Sequence, residues 1–122
     1  MSVVLDSSAI LAFLQGEDGA DVVEASLRET SRCGAANWSE VAQKVLGAGG
    51  DWHLVRALLV SYGLRVEPVL VEDAEWAAHR WVRGEGLSLA DRLCLALATR
   101  FDEDVLTADG AWGSAGRVRQ VR

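Results

Sequence analysis

Short β-branched runs alternate with segments of helical period along this chain, and no hairpin turn joins one run to the next. Val3-Val4-Leu5 is too brief for a helix and leads into Ala9-Ile10-Leu11-Ala12-Phe13-Leu14, a helix ending near Gly16. Asp18 to Arg28 reads as a second helix with Val22, Val23 and Leu27 apolar, followed by a weak strand over Cys33 to Ala36. Asn37-Trp38-Ser39-Glu40 resembles a capped helix start, and Gly47, Gly49 and Gly50 terminate that helix. Residues 51–62 place Leu54, Val55, Leu58, Leu59 and Tyr62 on one helical face. Leu64 to Val69 is extended, with Pro68 suited to an edge strand. Val71 to Val82 reads as a helix with Val71, Ala74, Ala78, Trp81 and Val82 on one side. Leu89 to Thr99 is apolar almost all round and is expected to be central. Asp104-Val105-Leu106 is a strand, Ala111 and Trp112 begin a short turn of helix, and Val118 to Val121 close the sheet. Strands linked through helices predict an α/β fold, a parallel four- to five-stranded sheet covered on both faces.

With 122 residues, the chain has room for one core, so residues 1–122 are expected to form a single domain. The longest apolar runs, Ala9 to Leu14 and Leu93 to Ala98, fall far short of the roughly 20 residues of a membrane helix, and no basic stretch opens the N-terminus. The expectation is a soluble, cytoplasmic protein. Its formal net charge of −6 excludes a broad basic face for coating nucleic acid. Lys44 is the sole lysine, so chemistry that demands one has a single candidate. Cys33 and Cys94 have no zinc-site spacing with each other or with the two histidines, and read as buried free thiols.

Parallel sheets place their sites at the carboxyl ends of the strands, which makes the acids informative. Asp6 directly follows Val3-Val4-Leu5, and Asp109 follows Val105-Leu106 after two residues. Glu40 and Asp91 fall in the first turns of predicted helices, which right-handed crossovers bring to the same sheet edge. Each acid also has a plainer reading. Ser88-Leu89-Ala90-Asp91 and Asn37-Trp38-Ser39-Glu40 both fit capping boxes, Asp6 can cap the first helix, and Asp109 before Gly110 suits a turn. Capping does not explain why two of the strongest strands both end in an acid. Four converging carboxylates need a cation to stay ionised, and oxygen-only ligands select Mg²⁺ or Mn²⁺ over zinc. Such a centre, with helix N-termini beside it, suits a phosphate ester and water activated without a histidine base.

Val3-Val4-Leu5-Asp6-Ser7-Ser8-Ala9, the Glu40 segment, Leu87-Ser88-Leu89-Ala90-Asp91 and Leu106-Thr107-Ala108-Asp109 together resemble the PIN-domain ribonucleases, especially the VapC-like toxins of toxin–antitoxin pairs. The resemblance spans nearly the whole chain. It implies a three-layer α/β/α sandwich, Mg²⁺ or Mn²⁺ dependence and endonucleolytic cleavage of RNA. It makes Asp6, Glu40, Asp91 and Asp109 the catalytic and metal-binding quartet, and gives Ser8 and Thr107 supporting roles behind them. It also implies a homodimer held inactive by a cognate antitoxin. Gly110 stands where many relatives carry a basic residue, which leaves Arg92, Arg117, Arg119 and Arg122 as candidate phosphate contacts.

Two other readings compete. A haloacid-dehalogenase-like phosphatase also begins with a strand ending in an acid, but wants a second acid where this chain has Ser8, and a lysine between its motifs. A catalytically silent PIN-like binding module would show its character by losing one of the four acids, and all four are present.

Overall fold

The computed structural model describes residues 2–122. Five strands, β1 (Ser2–Leu5), β2 (Thr30–Gly34), β3 (Arg65–Glu67), β4 (Asp104–Thr107) and β5 (Val118–Gln120), form one parallel sheet in the order β3-β2-β1-β4-β5. Helices α1 (Ser7–Leu14), α2 (Ala20–Arg28), α3 (Ala35–Gly47), α4 (Trp52–Ser61), α5 (Val71–His79) and α6 (Leu89–Phe101) connect them, with a short 3₁₀ turn at Gly110–Trp112. Alternate strand residues face opposite layers, as the pleat requires. Val3, Leu5 and Leu106 join Ile10, Val23, Leu27, Val41 and Leu59 in one buried cluster, whereas Val4 and Val105 pack against Cys94, Leu97 and Ala98 of α6. The result is the expected three-layer α/β/α sandwich around five strands. The edge strand β3 stops at Glu67, just before Pro68. Both cysteines are free and fully buried. Among the described residues, no helix is long and apolar enough to cross a membrane.

Three local expectations are corrected. The strand expected at Cys33 to Ala36 runs instead from Thr30 to Gly34, so α3 begins at Ala35 and Asn37 lies inside its first turn. Gly34 makes the junction, where Leu97 of α6 comes within 3.5 Å of the position a Cβ would take. Glu40 is thus one turn further into its helix than a capping box places it. The helix expected to reach Val82 ends at His79, and its expected inner face is its outer one. Asp73 and Ala77 are buried, while Val71, Trp81 and Val82 are exposed. The inward polar position is accounted for by Asp73, which caps Leu70 N–H at 2.9 Å and pairs with Arg100 of α6 at 3.1 Å. On α4, Leu59 is fully buried, but Leu54 and Leu58 are exposed beside an apolar groove shared with α1 and α3.

Candidate active site

Asp6 is the residue after β1 and the N-cap of α1, where its Oδ1 accepts the Ala9 N–H at 2.8 Å. Thr107, the last residue of β4, donates to Asp6 Oδ2 at 2.6 Å, and Ser8 Oγ lies 2.8 and 2.9 Å from the two carboxylate oxygens. Ser8 also accepts the Ala108 N–H at 2.9 Å. The ends of the two central strands are therefore locked around one carboxylate. With 2 % of its surface exposed, Asp6 is costly to ionise. Burial pushes its carboxyl from 3.8 up to about 6, the Asp91 charge adds to the rise, and Thr107, Ala9 and Ser8 oppose it. By linkage, this raised value favours the metal-free fold below pH 3.8, and that contribution is lost as the pH rises through about 6.

Glu40 is reached from two elements. Ser7 of α1 donates to its Oε1 at 2.9 Å, and Asn37, one turn earlier on α3, donates its amide to the same oxygen at 3.1 Å. The Asn37 amide also lies 3.5 Å from the Ala90 carbonyl, beside Asp91, which ties α3 to the start of α6. Its Oδ1 is buried and has no hydrogen-bond partner among the described residues. Asp91 sits in a capping box with Ser88, its own N–H on Ser88 Oγ at 3.1 Å and its Oδ2 accepting the Ser88 N–H at 2.9 Å. The capping reading is therefore real here, and it leaves the second carboxylate oxygen uncommitted to the cap. Half-burial raises the Asp91 carboxyl, Ser88 opposes, and the charges of Glu40 and Asp109 raise it further. Asp109 caps the 3₁₀ turn through Ala111 N–H at 2.9 Å, and its own N–H donates to Thr107 at 3.0 Å. Asp91 is thus the hub, within electrostatic reach of Asp6, Glu40 and Asp109.

The basic residues are placed differently from expectation. Arg92 Nη1 donates to the Ala77 carbonyl at 2.7 Å, so its guanidinium is turned onto α5. Arg117 pairs with Asp102 at 2.9 Å, and Arg119 pairs with Asp104, both acids standing at the entry end of β4 opposite the site. Arg122 alone of this set reaches the carboxyl end of β4, donating to the Ala108 carbonyl at 3.0 Å. Sequence reasoning missed Asn37 and Ser7, the two donors that orient Glu40. The spacing of Asn37 and Glu40, three residues apart on one helix face, was the available signal, and it was absorbed by the capping interpretation.

The donor set fits a hard divalent cation. Every candidate ligand is oxygen, no basic side chain among the described residues counters the buried Asp6 charge, and the orphaned Asn37 Oδ1 is a further buried acceptor beside Glu40. Among the described residues, no three acidic, His or Cys side chains stand close enough together to grip an ion as they are. Replacing Asn37 with Ala is expected to lower divalent-cation affinity by about 10–100-fold, the usual scale for losing a hydrogen bond that orients a ligand. Calorimetric titration with Mn²⁺ checks this, and an unchanged affinity would separate Asn37 from the site.

The PIN domain family model matches residues 3–117. The VapC ribonuclease Mb2780c of Mycobacterium bovis is 34 % identical over 115 residues, covering 85 % of this chain and 88 % of that protein. The ribonuclease VapC42 of Mycobacterium tuberculosis matches to the same extent. In three dimensions, a chain of a toxin–antitoxin complex from Klebsiella pneumoniae superposes with a TM-score of 0.80 at 17 % identity, covering 98 % of each chain. VapC20 of Mycobacterium tuberculosis, described as a sarcin–ricin-loop-cleaving toxin, superposes with a TM-score of 0.74 at 20 % identity, covering 95 % of this chain and 96 % of that one. The strand order, the acids at its carboxyl edge and these matches agree, and the chain belongs to the PIN-domain family.

Proposed function

We infer that this protein is a divalent-metal-dependent endoribonuclease, the toxin of a toxin–antitoxin pair. The observation that carries the reading is the set of four carboxylates at one sheet edge, with Asp6 buried and paired with no basic side chain among the described residues. Asp6 and Asp91 would hold the ion, with Glu40 and Asp109 completing its oxygen surroundings directly or through water. When bound, Mg²⁺ or Mn²⁺ would lower the pKa of a water at neutral pH and offset charge on the phosphodiester. The chain's own residues do the rest. Thr107 and Ser8 fix the carboxylate plane of Asp6, Ser7 and Asn37 aim Glu40, and Ser88 fixes Asp91 at the helix start. Arg122 is the guanidinium best placed to meet an RNA phosphate at this edge.

The protein partners are a cognate antitoxin and a second copy of this chain, acting in the cytoplasm. The relatives named VapC ribonuclease support the toxin role, and the exposed Leu54 and Leu58 beside their apolar groove support protein contact. The test is RNA cleavage by antitoxin-free protein. Cellular RNA is expected to be cut in Mg²⁺ or Mn²⁺ and spared in chelator. Cutting that continues in chelator, or in both Asp6→Asn and Asp91→Asn, would overturn the mechanism.

A further inference from the structure

The face of α6 that carries Asp91 continues into a cleft. Leu95 and Thr99 follow Asp91 at four-residue steps, about 6 Å of axial rise each, and both line a cleft of about 440 Å³. That volume lies within the range of small-ligand sites. The cleft adjoins the acids from two sides. Ala111, which lines one wall, donates its N–H to Asp109, and Leu87, on another, precedes the Ser88 that caps Asp91.

Its walls suit a flat, uncharged ring with a polar edge. Trp76 of α5 and Trp112 of the 3₁₀ turn both line it. Trp112 packs on the buried cluster of Val4, Leu97 and Val105, and its buried indole N–H has no acceptor among the described residues. Arg80 grips Glu85 through two hydrogen bonds of 2.7 and 2.9 Å, presenting donors and acceptors side by side. Arg117 is likewise paired with Asp102. With its arginines neutralised, the cleft is poorly suited to a phosphate and well suited to a base. Proteins that read single-stranded RNA stack bases on aromatic rings and bond their edges. An apolar peptide side chain would leave the Arg80–Glu85 pair unused.

We propose that this cleft receives one unpaired base of the RNA strand whose backbone crosses the acidic edge, and so fixes where the strand is cut relative to that base. The inference rests on the ribonuclease reading above, and its test separates the two. A short RNA with one cleavage site is remade with a single abasic nucleotide walked through each position, and kcat/KM is measured for each. One position at a fixed distance from the cut is expected to show a loss of about tenfold or more, the scale of one lost base stack. That penalty is expected to vanish in Trp76→Ala and in Thr99→Glu, since the base site is then already damaged. Thr99 is exposed, so its replacement keeps the test valid should Trp76→Ala fail to fold. Cleavage with an even response along the strand, or a penalty that persists in both variants, would overturn the base site and leave the ribonuclease standing. Binding of an antitoxin, and not of RNA, lost in both variants would reassign the cleft to a protein partner and overturn the proposal. Absence of cleavage of every intact RNA would overturn the ribonuclease reading, and the base site with it.

Discussion

Asp6→Asn is expected to abolish RNA cleavage while making the metal-free protein more stable. The side-chain amide keeps an oxygen for the Ala9 N–H cap, is nearly the same size, and turns its NH2 to the Thr107 and Ser8 hydroxyls, which can rotate to accept, so the fold loses little. What it removes is a buried negative charge. The rise of the Asp6 carboxyl from 3.8 to about 6 corresponds to a burden on the order of 3 kcal/mol at neutral pH. Denaturant unfolding without metal should therefore favour Asp6→Asn at pH 7.5, with the gap closing as the pH falls from about 6 towards 4 and wild-type Asp6 takes up its proton. Activity should move the other way, falling on the order of a thousand-fold or more, because the same charge is what the cation requires. A variant less stable than wild type at both ends of that pH range would show that Asp6 serves the fold.

The second large effect lies away from the acids. Arg32 of β2 pairs with Glu103 at 2.7 Å and Glu67 at 3.4 Å, and its guanidinium lies 3.8 Å from the centre of the Phe101 ring. Glu103 is almost fully buried, so removing its cation strands a carboxylate inside the protein. Arg32→Ala should cost about 3–5 kcal/mol, lowering the melting temperature by about 10–20 °C. Adding Glu103→Leu should recover part of that loss. The pair sits at the entry end of β4, so kcat for RNA at a temperature where the variant is folded should change little. A stability loss below about 1 kcal/mol would mean that the pair contributes no more than a surface ion pair.

Much of this could be read from residue order. A parallel sheet follows from β-branched runs separated by helical segments, and the carboxyl-edge rule then points to Asp6 and Asp109. What failed had physical causes. Helix ends were misplaced where tertiary contacts override local signals. β2 ends at Gly34, two residues before the expected Ala36, and α5 turns Asp73 inward onto Arg100 of α6. Alternation of apolar and small residues on α5 could not reveal an ion pair across 27 positions. The partners of Arg92, Arg117 and Arg119 were equally out of reach of local reading, since each lies distant in sequence or on another strand. Asn37 reads locally as a cap, and only the true start of α3 at Ala35 turns its three-residue spacing to Glu40 into a hydrogen bond that orients that carboxylate.

We propose that these four acids form one cation site poised by the charge of Asp6. Calorimetric titration of metal-free protein with Mn²⁺ in two buffers of different ionisation enthalpy, at pH 5.5, tests it most directly. Binding is expected to release about three-quarters of a proton, because Asp6 is mostly protonated there before the ion arrives, and Asp6→Asn is expected to lose that release. Mn²⁺ binding with no proton release, or of equal strength in wild type, Asp6→Asn and Asp91→Asn, would contradict it.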